Sequence, residues 1–251
     1  MKGLIYRELY LIRKTTVITL LTYFIFVAMM SLVCISTYAG NLKGEEGVIE
    51  IFYPQAYFYA ACIALIGMGY GHNDIIQKDY QSRWQLFSYT LPISDRKMIA
   101  SKFIVRGILL LAGLVLALLA EVIIAAAAKM PVSTDHIKNI LIIGAVMTLC
   151  FSEIPLMLRF KNQNKGAAVT LLAMSPLMAA FVYFSWRFTK FCVSEAVRLY
   201  GEANDETVSK VLTPYMDKAR TIGFIIAPFF VVGVIALFYV WSLKEYRRRR
   251  Y

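Results

Sequence analysis

Two carboxylates, Glu121 and Glu153, lie inside long apolar runs that offer them little water. An acid in such a run costs a few kcal/mol unless it faces a cavity, a partner or a proton, which makes both candidates for a translocation path. Glu121 falls in the outer half of the third run. Glu153 falls in the inner half of the fourth, with Arg159 and Lys161 close behind. Other chemistry is scarce. The glycines of GMGYG, Gly67 to Gly71, follow no strand and precede no Lys-Ser/Thr pair, so they read as close helix packing and not as a phosphate cradle. Two histidines, His72 and His136, and four cysteines without ligand spacing offer no metal site. No catalytic residue, no metal and no cofactor is expected in this chain.

The elements that position these residues are written in lipid. Of 251 residues 59% are hydrophobic and 17% charged, an apolar excess over soluble domains of this size. The opening, MKGLIYRELYLIRK, has charges throughout and no cleavage pattern, so it is expected to remain on the chain. Six runs reach the roughly 20 residues that cross a hydrocarbon core: 15–38, 52–72, 103–128, 137–158, 166–186 and 221–243. Each is expected to be a helix, because backbone facing lipid must satisfy its own hydrogen bonds. The expected fold is an all-α integral membrane protein, one membrane domain over 1–251.

Orientation follows from Lys and Arg. With both termini in the cytoplasm, 18 of the 27 basic residues lie inside, and six of the other nine share one loop with five acids. The net charge of +11 then describes a basic face against anionic lipid and not a nucleic-acid surface.

Two features depart from six plain spans. In residues 2–14, Ile5, Leu9 and Ile12 share one helical face while Gly3, Arg7, Tyr10 and Lys14 share another, the pattern of a helix lying on the membrane. Between spans two and three, over 76–102, Ile76, Tyr80, Trp84, Phe87 and Leu91 follow at steps of four, four, three and four, a largely aromatic row on one helical side. Pro92 ends that helix, and Ser94 is placed to cap the next, with Asp95 in its first turn. The stretch reads as an elbow at the membrane face. Beyond span five, 187–220 carries two short amphipathic pieces around GEAND and reads as an outer cap.

The elbow, with Asp79, Trp84, Leu91, Pro92, Ile93, Ser94, Arg96, Lys97, Ile99 and Lys102, resembles the membrane subunits of ATP-binding-cassette exporters. The match is to type-2 permeases of small bacterial two-component systems, similar to peptide and phenol-soluble-modulin exporters. IPLMLRFKNQNKG, Ile154 to Gly166, resembles the same family's proline-containing helix end and basic loop. The resemblance implies a bacterial plasma-membrane permease working as a dimer with two ATPase subunits, which bind the ATP and Mg. It implies that the elbow is a coupling helix, with Tyr80, Trp84, Phe87, Leu91, Arg96 and Lys97 meeting the ATPase, and that the cargo is an amphipathic or antimicrobial peptide. Lipid-like drugs are an alternative cargo. A proton-coupled carrier using Glu121 is the alternative mechanism, though the sequence has no internal repeat of the kind such carriers show.

Single cysteines on a background without the four native ones test the sidedness. Position 81 should label only from the inside, and positions 46 and 203 only from the outside. Outside labelling at 81 would reverse the topology.

Overall fold

The computed structural model describes residues 2–41, 48–69, 79, 84, 88, 90, 92–160 and 163–250. Seven α-helices and one 3₁₀ turn account for nearly all of them: α1 Lys2–Asn41, α2 Val48–Gly69, α3 Asp95–Ala128, α4 Thr134–Met147, the 3₁₀ turn Thr148–Ser152, α5 Glu153–Phe160, α6 Gln163–Tyr200 and α7 Asp205–Arg250. No strand occurs among the described residues. Four helical segments there are long and apolar enough to cross a membrane: Lys2–Ala39, Asp95–Ala128, Thr134–Arg159 and Glu206–Arg248. The second and fifth apolar runs fall in α2 and α6, apart from residues 70–72, which lie outside the described part.

The expected surface helix 2–14 is no separate element. It forms the first turns of α1, which continues unbroken through the first apolar run. Its row Ile5, Leu9 and Ile12 packs on Met68 of α2 and on Val105 and Leu109 of α3. Protein, and not headgroup, therefore covers the apolar face, because α3 passes close enough to bury it. The opposite side keeps Tyr6 and Tyr10 exposed and stacked, with Arg13 over the Tyr10 ring.

The main core lies between α1, α2 and α3. Ala56, Ala60, Ala61 and Ala64 of α2 meet Ala117, Ala120 and Ala125 of α3, and small side chains allow helices in lipid to approach closely. Tyr23 of α1 closes this layer by donating to the Leu116 carbonyl of α3 at 2.6 Å. A second core, at the other end, joins Phe103 of α3, Phe151, Ile154 and Leu158 of the fourth run, and Tyr246 of α7.

Helix ends follow local chemistry. Ser94 stands at the N-cap of α3 in extended conformation, but its side chain makes no cap bond. Its backbone carbonyl accepts from the amides of Lys97 and Met98 instead, and Asp95 offsets the helix dipole. Lys129 ends α3 in the left-handed region at φ 53°, and Ser133 caps α4 by accepting the Asp135 amide. The fourth apolar run tightens to 3₁₀ just before Pro155. That proline donates no hydrogen bond to the Phe151 carbonyl and crowds it, so the preceding turn tightens.

The stretch 187–220 is built from extensions of α6 and α7 joined at 201–204, and not from freestanding short helices. Phe188, Cys192 and Ala196 pack on Val208, Val211 and Leu212 across the turn. Gly201 takes φ 76° to end α6, and Asn204 and Thr207 exchange side-chain and backbone hydrogen bonds to start α7.

Gly113 marks a close α2–α3 approach. A Cβ there would lie 3.1 Å from both the Ala64 carbonyl oxygen and the Met68 Cβ. Gly113→Val should therefore destabilise the permease by about 1–3 kcal/mol, read as earlier thermal unfolding in detergent than for Gly107→Val, where a Cβ meets nothing within 4 Å. Equal unfolding of the two variants would contradict this packing.

Candidate functional site

The elbow motif is drawn onto α1 by charge. Lys102 Nζ of α3 donates to Asp79 Oδ2 at 2.5 Å and to Glu8 Oε1 at 3.1 Å. Arg7 of α1 donates through Nη2 to Asp79 Oδ1 at 2.6 Å. Its guanidinium also lies over the Trp84 ring, 3.9 Å from the centroid. Asp79, Trp84 and Lys102, three residues of the family motif, thus converge on two neighbours in the second turn of α1.

The balance of charge makes this burial tolerable. Glu8 and Asp79 are buried and Lys102 nearly so, and isolated charges there would each cost several kcal/mol. Two acids against two bases leave the cluster neutral. Glu8 Oε2 has no hydrogen-bond partner among the described residues. It lines a cavity of about 20 Å³ together with Ser88, Lys102 and Tyr246, room for one water molecule.

The end of α7 joins the same place. The hydroxyls of Ser88 and Tyr246 lie 3.1 Å apart, Arg247 approaches Asp95 at 3.7 Å, and Tyr239 donates to the Arg96 carbonyl at 3.4 Å. The elbow is therefore tied to α1, α3 and α7 at once.

Of the six expected coupling residues, Trp84 is half-buried against Arg7, while Arg96 and Lys97 are exposed at the start of α3. Tyr80, Phe87 and Leu91 lie outside the described residues. Glu153 reaches Arg106 of α3 at 2.5 Å, a partner across helices in addition to any of its basic sequence neighbours. Glu121 is 1% exposed. Its Oε1 accepts from the Tyr53 hydroxyl of α2 at 2.6 Å and from His136 Nδ1 of α4 at 2.8 Å.

Sequence reasoning missed Arg7, Glu8, Arg106, Tyr53 and His136. One signal pointed to Glu8: it falls within the apolar row Ile5, Leu9, Ile12, at the helical step between Ile5 and Leu9. An acid on the buried side of an amphipathic helix needs a buried base. The others pair with residues distant in sequence, and nothing local announces them.

The arrangement is mechanical. Among the described residues no group of three or more His, Cys, Asp or Glu could hold a metal, and the charged cluster fixes one segment against three helices. Lys102→Met would remove one of the two bases that Glu8 and Asp79 share and leave the two buried acids facing Arg7. It should cost about 3–5 kcal/mol and lower the unfolding temperature well below that of Lys138→Met, whose lysine is a partly exposed partner of Asp135. Equal unfolding temperatures would show that the cluster carries no stability.

A family model described as ABC-2 family transporter protein matches residues 47–247. No curated protein and no solved structure matches the chain.

Proposed function

Because the chain belongs to the ABC-2 transporter family and is the membrane subunit of an ABC transporter, we propose that it is the permease of an ATP-driven exporter of amphipathic or antimicrobial peptides. In this reading it spans a bacterial plasma membrane six times with both termini in the cytoplasm. It pairs with a second permease copy and with ATPase subunits that carry the ATP and Mg. Membership of the family implies an ABC ATPase partner in general.

One observation carries the proposal: the elbow is anchored through Asp79 to both α1 and α3. A segment that only rested in headgroups would need no buried, charge-balanced anchor. A segment that receives force from an ATPase does need one, since displacement reaches the spans only through stiff contacts. In the proposal, closure of the ATPases on nucleotide pushes the elbow, and α1 and α3 move with it between inward-open and outward-open states.

The docking surface is assigned to Tyr80, Trp84, Phe87, Leu91, Arg96 and Lys97. Trp84 serves in it as a support for Arg7 and as an aromatic at the partner surface, and large aromatics and arginines carry most interface energy. Arg96 and Lys97 supply exposed charge. Glu121 and Glu153 remain the candidate acids of the path. Peptide cargo rests on the likeness of the elbow motif to small peptide exporters.

Co-purification with a co-expressed ATPase tests the coupling claim. Arg96→Glu with Lys97→Glu alters exposed side chains, so the permease should fold normally yet retain at least about tenfold less ATPase in detergent, the effect of losing roughly 1.4 kcal/mol of binding. Undiminished ATPase recovery and turnover would overturn the docking assignment.

A further inference from the structure

At the far end of the helices from the elbow, Glu121 sits in a closed pair with His136. Its Oε1 accepts two hydrogen bonds, from Tyr53 and His136, while Oε2 has no hydrogen-bond partner among the described residues and is sealed from solvent. The Tyr57 ring stacks on the imidazole with centroids 3.9 Å apart. Tyr53 and Tyr57 of α2 therefore form the wall, Glu121 of α3 the floor and His136 of α4 the lid. His136 keeps a side-chain exposure of 16% against 1% for Glu121, so the imidazole is the carboxylate's route to water.

We propose that Glu121 and His136 form a proton-binding site whose occupancy latches the start of α4 onto α2 and α3. A bare carboxylate sealed with one oxygen unpartnered is unfavourable, and an imidazolium beside it makes the pair neutral overall. Among the described residues, the other groups that face the pair bring no positive charge into hydrogen-bond contact with Glu121. From α1 comes the Cys34 thiol, and from α2 the Tyr53 and Tyr57 phenols. From α4 come Asn139 and Asp135, and Asp135 is engaged by Lys138 and by Arg220 of α7 at 2.6 Å. Among the described residues, His136 is the group hydrogen-bonded to Glu121 that can carry a balancing positive charge. When its proton leaves, the buried carboxylate is uncompensated and gains by reaching water, which it does as α4 swings away. Histidine is the side chain that ordinarily changes charge between about pH 5 and 8, so acid favours the latched state and alkali the released one.

The sidedness rests on the orientation proposed above, which turns this end outward. The latch then couples opening of the outer end to external pH, a role separate from carrying protons across. The Asp135–Arg220 contact extends it to α7, so α4 is held from two sides.

The test uses the purified full-length permease in nanodiscs without ATPase or cargo, so it can fail while the exporter reading stands. Spin labels at positions 55 of α2 and 132 before α4, both exposed, report their separation on a cysteine-free background. Between about pH 5.5 and about pH 8.5 the short-distance population should fall at least about twofold. Glu121→Gln and His136→Gln should each abolish that response, and His136, partly exposed, keeps the test open if the buried Glu121 variant does not fold. A wild-type distribution unchanged with pH, or a response that survives in either folded variant, would overturn the proposal.

Discussion

Burying charge in a membrane protein is tolerable only if every charge finds its opposite, and at the elbow this requirement organises the chain. Lys102 cannot be withdrawn from solvent without Glu8 and Asp79, and the two acids need Arg7 as well as Lys102 to be neutral. These four groups come from α1, the elbow and α3. Neutrality is therefore reached only when the three segments meet in one register, and a shift of one residue on any of them would strand a charge. Apolar packing tolerates such slips more readily, since one aliphatic contact resembles the next.

From that fixed point the remaining architecture follows by ordinary membrane physics. The alanine-rich faces of α2 and α3 close together beyond Lys102, with Gly113 at a close approach. The Arg106–Glu153 pair repeats one turn farther along α3 what Lys102 does at the elbow, and so ties in the fourth apolar run. Phe103 and Phe151 pack at 5.2 Å between these two charged layers. By contrast the central stretch of α7 buries none of its residues. Phe229, Val232 and Val240 are exposed along it, and in a membrane subunit lipid or another subunit covers such a surface.

Four of the six expected spans coincide with helical segments long and apolar enough to cross a membrane, because an apolar run of about twenty residues has few other uses. The elbow was legible only as a motif. Asp79, Trp84 and Lys102 could be named from the family likeness, whereas the residues they hold could not, since Asp79 lies 72 positions from Arg7. The first turns of α1 are ambiguous in sequence for a physical reason: an apolar row beside basic residues fits a membrane surface as well as a neighbouring helix. Glu8, on the apolar side, was the residue that distinguished the two. His136 has too few companions in sequence to suggest a metal site, but a histidine that meets an acid on another helix needs just one partner. GEAND does separate two helical pieces, at residues 201–204. That those pieces continue α6 and α7 could not be read locally, because helix propagation depends on packing such as that of Phe188, Cys192 and Val211.

The central claim is that ionic anchoring, and not apolar contact alone, fixes the elbow on α1. Spin labels at position 6, exposed on α1, and position 90, exposed in the elbow, measure it directly in the purified permease. One narrow distance distribution is predicted for the wild type, with a clearly broadened one when Lys102→Met removes one of the two bases that hold Asp79. Equally narrow distributions in the two proteins would mean that the charges are bystanders and that apolar packing holds the elbow by itself.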